Sequence, residues 1–165
     1  MRASIGMKAL FEKMRSDLRD FPTTAQYRNL KSTYWNNPAL IQRDVKPLWD
    51  LSRSSILWNW ELDTEEQARC HLIEGVETLS LLRKMYRTEA YVWPRSFKEM
   101  DADKALTVVN QWLEGLTLSP PVIVYRQEDN TWGKRDGFHR MAVALMCNPV
   151  KLPVWVMDST DGLID

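Results

Sequence analysis

Near the C-terminal end of the chain, Arg135-Asp136-Gly137-Phe138-His139-Arg140 puts two guanidinium groups, a carboxylate and an imidazole around one glycine, with Lys134 just before them. Asp-Gly suits a chain reversal into a helix, because glycine takes positive φ without steric cost. The first amides of such a helix have no intrahelical acceptor, so together with the helix dipole and a nearby arginine they make a seat for phosphate. Phosphoryl chemistry needs cations on the phosphate oxygens, a carboxylate for a metal, and a group that positions or deprotonates the nucleophile. Arg140, with Arg135 and Lys134, can clamp phosphates, and the backbone of Gly137 and Phe138 can approach them. Asp136 can hold Mg²⁺ or orient a hydroxyl, and His139 can donate to a phosphate or carry a proton. Arg95 and Glu99 are accessory candidates from a neighbouring loop. Each has a plainer reading: Asp136 as a turn residue, Arg140 as one half of a structural ion pair, His139 as a hydrogen-bonded core residue, and Arg95 and Glu99 as surface charges.

The elements that must position this turn are legible from pattern. The apolar runs Pro120-Pro121-Val122-Ile123-Val124-Tyr125 and Leu152-Pro153-Val154-Trp155-Val156-Met157 read as strands on either side of it. Strands are expected at 121–126, near 131–134 and at 153–157, with a turn at 127–130 and a helix over 138–147. Upstream, Ala90-Tyr91-Val92-Trp93 reads as a strand closed by Pro94. Asp101 or Asp103 opens a helix carrying Leu106, Val109, Trp112 and Leu113, which Gly115 ends.

The first 87 residues read as helical. Met7, Leu10, Phe11, Met14 and Leu18 recur at helical spacing, and a second helix starts at Thr23 or Thr24 and runs to the break at Asn36-Asn37-Pro38. Residues 39–51 are helical in part, limited by Pro47, and 52–63 read as a loop packed down by tryptophans. The clearest helical pattern spans 64–87, where Thr64 and Gln67 match a capping box. Ala68, Leu72, Ile73, Val76, Leu79, Leu82, Met85 and Tyr86 form its stripe, with His71 beside them as a structural residue. The expected organisation is therefore an all-helical, Trp-rich extension over 1–87, a small mixed α+β module over 88–158, and a tail over 159–165.

The 165-residue length, with 44% hydrophobic and 27% charged residues, fits a single folded body and argues against disorder. No apolar run reaches the roughly 18 residues of a membrane span, and the first residues lack a signal-peptide pattern, so a cytoplasmic protein without membrane partners is expected. Cys70 and Cys147 fall in apolar helical patterns and read as two reduced, buried thiols. The net charge of zero hides an asymmetry: residues 1–60 hold ten Lys/Arg against five Asp/Glu, leaving twelve against seventeen for 61–165. Arg28, Lys31, Arg43, Lys46 and Arg53 interleave there with Tyr34, Trp35, Trp49 and Trp58. Such a surface can stack and track single-stranded nucleic acid, with Arg43 and Lys46 as the contacts to test, or it can be core aromatics under a solvated face.

The order strand, helix, strand, short strand, Asp-Gly-x-His-Arg turn, helix, strand over 89–158 resembles the ParB/sulfiredoxin-like superfamily. The pieces that carry the resemblance are Pro121-Val122-Ile123-Val124, Asp136-Gly137-Phe138-His139-Arg140 and Leu152-Pro153-Val154-Trp155-Val156, with Pro94-Arg95 after the first strand. The resemblance implies a small mixed sheet with flanking helices and a nucleoside triphosphate, ATP or CTP with Mg²⁺, held at the turn. Phe138 stands where the sulfinic-acid reductase has its cysteine, and the chain stops soon after the last strand, where partition proteins continue into a helix-turn-helix. The turn is closest to the kinase-like branch. The resulting expectation is a nucleotide-binding enzyme that hydrolyses or transfers a phosphate, in the nucleic-acid metabolism of a phage or mobile element. Two alternatives stand beside it: a non-catalytic DNA-binding or protein-interaction module, and a Mg²⁺-dependent nuclease. Oligomeric state stays open.

Overall fold

A computed structural model describes residues 23–57, 59, 61–86, 102–126, 128 and 131–158. The expected features at 7–18, 90–93 and 159–165, and Arg95, Glu99, Trp58, Trp60 and Asp101, lie outside them.

Helix α1 spans Thr24–Leu30. Thr23 caps it and forms a capping box with Gln26, each side chain bonded to the other's backbone amide. The helix continues as one π-helical turn, Lys31–Trp35, and stops in Asn36-Asn37-Pro38, as the sequence pattern predicts. Helix α2 is Ala39–Asp44. Within the expected loop 52–63, Arg53–Leu57 is a short helix, α3, which corrects that expectation in part.

The larger correction concerns 64–87. Helix α4 covers only Thr64–Ala68, and its cap is Asp63 with Glu66, one residue before the expected pair. Residues Cys70–Glu77 are strand β1, and helix α5, Thr78–Tyr86, begins after it. Apolar residues at 68, 72, 73, 76 and 79 imitate a helical stripe. Ile73 and Val76 are β-branched, however, and Gly75 interrupts the stretch, so local preference favours an extended chain once a partner strand is present. That partner is strand β4, Lys151–Met157, paired antiparallel with Cys70 opposite Met157 and Glu77 opposite Lys151, and with a register shift between Ile73 and Val76. Cys70 is thus a buried strand residue, and His71 is exposed on β1 instead of lying beside a helical stripe. The expected all-helical extension over 1–87 is likewise corrected, because it contributes a strand to the sheet.

Helix α6, Ala102–Leu113, ends in a Schellman motif. Leu116 donates to the Gln111 carbonyl, Gly115 donates to Trp112, and Gly115 sits at φ +80°. Strand β2, Val122–Arg126, and strand β3, Thr131–Asp136, form an antiparallel hairpin. Helix α7, Phe138–Met146, carries the chain to β4, which runs parallel to β2. Among the described residues the mixed sheet has four strands in the order β1-β4-β2-β3.

Three apolar clusters hold these layers. On one face of the sheet Ile123, Leu152, Val154 and Val156 pack with Leu81 and Met85 of α5 and Met141 of α7. On the other face Val122, Trp155 and Met157 meet Ile56 and Leu62. The third cluster joins Leu30, Tyr34, Ile41 and Val45 to Leu106, Val109 and Trp112 of α6 and to Ala142, Val143 and Met146 of α7. Helix α7 is therefore gripped on two sides, which fixes its first turn in space.

Candidate functional site

The turn before α7 forms because Gly137 takes φ +83°, ψ +27°, in the left-handed region, and serves as the N-cap with no side-chain cap bond. A second constraint adds to the dihedral: a Cβ built on Gly137 would lie 2.6 Å from Arg140 Nη2 and 3.0 Å from the Pro121 Cα. The glycine gives the guanidinium of Arg140 a place to lie against the backbone. Arg140 returns from α7 over the turn, donating from Nη1 to the Ser119 carbonyl at 2.9 Å and from Nη2 to Asp136 Oδ2 at 3.4 Å.

Asp136 closes β3, opposite Val122. Its Oδ2 accepts a much shorter bond, 2.6 Å, from Nδ2 of Asn59, a residue 7% exposed in the segment between α3 and α4. Charge-assisted N–H···O bonds run to about 2.7–2.9 Å. The Asn59 contact is therefore the firm one, and the Arg140 contact is loose. About a fifth of the Arg140 side chain and a quarter of the Asp136 side chain remain exposed. Burial pushes the Arg140 pKa below its ordinary value, and the Asp136 charge offsets that only in part. Among the described residues, a covered cation with an incomplete counter-charge is the main electrostatic feature of this corner.

Arg135 behaves otherwise. Its guanidinium donates from Nε to Glu66 Oε2 at 3.1 Å, and from Nη2 to Glu66 Oε1 at 3.3 Å and the Glu61 carbonyl at 3.2 Å. It ties β3 to α4, so its place among the phosphate ligands expected from sequence is taken by a carboxylate. Lys134 lies on β3 opposite Ile123. Phe138 and His139 occupy the first turn of α7 with their rings edge-to-face at 5.3 Å, both partly buried. The turn thus gathers Asp136, Gly137, Phe138, His139 and Arg140 in one corner. Asn59 and Ser119 belong to it as well, and sequence reasoning missed both. Ser119 contributes only a carbonyl, which leaves no mark in a sequence. The one signal at Asn59 was a polar residue flanked by two tryptophans in a stretch without period.

Of the basic surface expected from the N-terminal part, Arg43 and Arg53 are bonded into the structure, whereas Arg28, Lys31 and Lys46 are exposed. Arg43 makes two bonds to Asp44, at 2.6 and 2.8 Å, and Asp44 also accepts from the Tyr34 hydroxyl at 2.8 Å. Arg53 donates to the carbonyls of Cys70 and Gln67 at 2.7 and 2.6 Å and lies 5.3 Å from the Trp155 ring. Trp49 packs edge-on against Trp112, whose indole donates to the Leu48 carbonyl. Lys46 is exposed. Among the described residues no group of three or more His, Cys, Asp or Glu side chains converges as a metal cage, and no helix is long and apolar enough to cross a membrane.

Comparisons with protein-family models, with curated proteins and with solved structures gave no match.

Proposed function

We propose that this chain binds a phosphate-bearing nucleotide at the Gly137 turn, as a ParB/sulfiredoxin-like protein of the kinase-like branch, and hydrolyses or transfers a phosphate. The observation that carries the reading is Arg140. It is a mostly covered guanidinium beside a glycine-capped helix start, held among the described residues by one carbonyl and one loose carboxylate contact. An arriving phosphate would supply the missing counter-charge and meet the first-turn amides of α7. ATP and CTP are the candidate nucleotides. Among the described residues Asp136 is the one carboxylate in contact with Arg140, so a Mg²⁺ ion would be held mainly by the phosphates themselves, with Asp136 contributing at most one protein ligand. His139, in the first turn of α7, is the candidate proton carrier.

A binding module without turnover is the second reading. It is favoured by the firm Asn59–Asp136 bond, which commits one oxygen of the would-be catalytic carboxylate. A nuclease ranks lower, because in-line cleavage by two metals needs carboxylates beyond Asp136. Nucleic-acid contact through Arg43 is disfavoured by its pairing with Asp44.

Calorimetric titration of ATP, CTP and GTP with Mg²⁺ tests the reading. Wild type should bind at least one of them, and Arg140→Ala should bind about tenfold more weakly or worse, the effect of losing one charge-assisted contact. Equal and negligible binding by both proteins overturns it. Release of inorganic phosphate that is lost in His139→Ala would separate enzyme from binding module.

A further inference from the structure

Asp136 Oδ2 is shared by two donors that hold it unequally, Asn59 at 2.6 Å and Arg140 at 3.4 Å. The orientation of the Asn59 amide is fixed from its other end, because its Oδ1 accepts from the Glu61 backbone N–H at 3.0 Å. The NH₂ group must then face the carboxylate, where it is well placed to donate. Asn59 is buried and comes from a segment 77 residues away in sequence, so this is a tertiary contact and not a by-product of the turn. Its effect is to draw Asp136 towards the α3–α4 segment and away from Arg140. A carboxylate released from Asn59 could turn both oxygens to the guanidinium, in the paired geometry that Arg43 and Asp44 adopt elsewhere in this chain.

We propose that Asp136 is a displaceable counter-anion of Arg140, that a phosphate group competes with it for the guanidinium, and that Asn59 is the positioning residue that sets the balance by holding the carboxylate back. The inference rests on the phosphate-binding reading above and specifies it: the site takes a free, highly charged phosphate group, and Asp136 opposes its binding. Were Asp136 instead a ligand of the incoming group through a metal, its removal would weaken binding, so the two roles predict opposite signs.

The experiment is calorimetric titration of inorganic phosphate into the full chain in metal-free buffer, for wild type, Asp136→Asn and Asn59→Ala. Each variant is first checked for folding by its thermal transition. Asp136→Asn keeps the shape and a hydrogen-bonding group but removes the charge, and should tighten phosphate binding about fivefold. Asn59→Ala frees the carboxylate to close on Arg140 and should weaken binding by a similar factor; both estimates correspond to the modest worth of a partly exposed ion pair. Opposite signs from two neighbouring substitutions are the signature, since general destabilisation would weaken both. Binding by wild type that Asp136→Asn leaves unchanged or weakens overturns this inference and leaves the phosphate site standing. Phosphate binding absent from wild type and Asp136→Asn alike overturns both.

Discussion

Arg43 and Arg140 each sit beside an aspartate and end up in different states. Arg43, on the helical side of the molecule, holds both oxygens of Asp44 at 2.6 and 2.8 Å, and the Tyr34 hydroxyl completes the group. Arg140, at the start of α7, touches a single oxygen of Asp136 at 3.4 Å, and Asn59 holds that same oxygen more closely, at 2.6 Å. Arg43 is mostly exposed yet satisfied, whereas Arg140 is mostly covered yet loosely matched. The difference shows that the presence of an acid beside a cation decides little. What decides whether a guanidinium is available to a ligand is how completely the acid is already committed.

The contrast can be broken most forcefully at the turn. Gly137→Ala places a side chain at positive φ and drives it into Arg140 and the Pro121 backbone. It should cost about 2–4 kcal/mol in chemical denaturation, from the left-handed conformation and the overpacking together. A cost within about 0.5 kcal/mol, the range of ordinary surface changes, would mean that the turn is not built as described. Next in size is the ligand effect: Arg140→Ala should lower nucleotide affinity about tenfold or more, while Arg43→Ala should leave it unchanged. Equal losses in the two variants would erase the distinction between the arginines.

A smaller effect belongs to the paired side. The Arg43 guanidinium and the Tyr34 hydroxyl hold the Asp44 pKa down at about 2 from an ordinary 3.8. A carboxylate depressed in the folded state adds stability that is present above pH 4 and is lost as pH falls towards 2. Asp44→Asn should remove this share of the acid-side loss in melting temperature measured between pH 5 and 2. An unchanged pH profile would show that the pair is not formed in solution. Smallest of all, burial raises both Cys70 and Cys147 to about 11, so neither thiol should alkylate appreciably at pH 8 until the chain unfolds. Rapid labelling of the native protein would contradict that.

The legible parts of this fold were those in which local chemistry and tertiary demand agree. Thr23 and Gln26 cap a helix by their own side chains, Gly115 and Gly137 sit where only glycine is comfortable, and the Val-Ile-rich runs at 122–126 and 151–157 are strands buried in the centre of the sheet. Residues 70–77 were misread because an edge strand with a register irregularity need not alternate cleanly. Leu72, Ile73, Val76 and Leu79 recur at helical spacing, so the stretch reads as a helix until β4 is brought alongside. At the site, Asp136, Gly137 and Arg140 were readable because they belong to one turn. That Glu66 would hold Arg135 and Asn59 would hold Asp136 was not, since those two residues reach the turn from 69 and 77 residues away.

The most direct test of the central claim is to titrate inorganic phosphate into ¹⁵N-labelled protein and follow the amides of Phe138, His139 and Arg140 together with Arg140 Nε–H. The account predicts that these resonances move together and saturate along a single binding curve. Resonances that stay fixed at the turn while phosphate perturbs only exposed lysines such as Lys46 would contradict it.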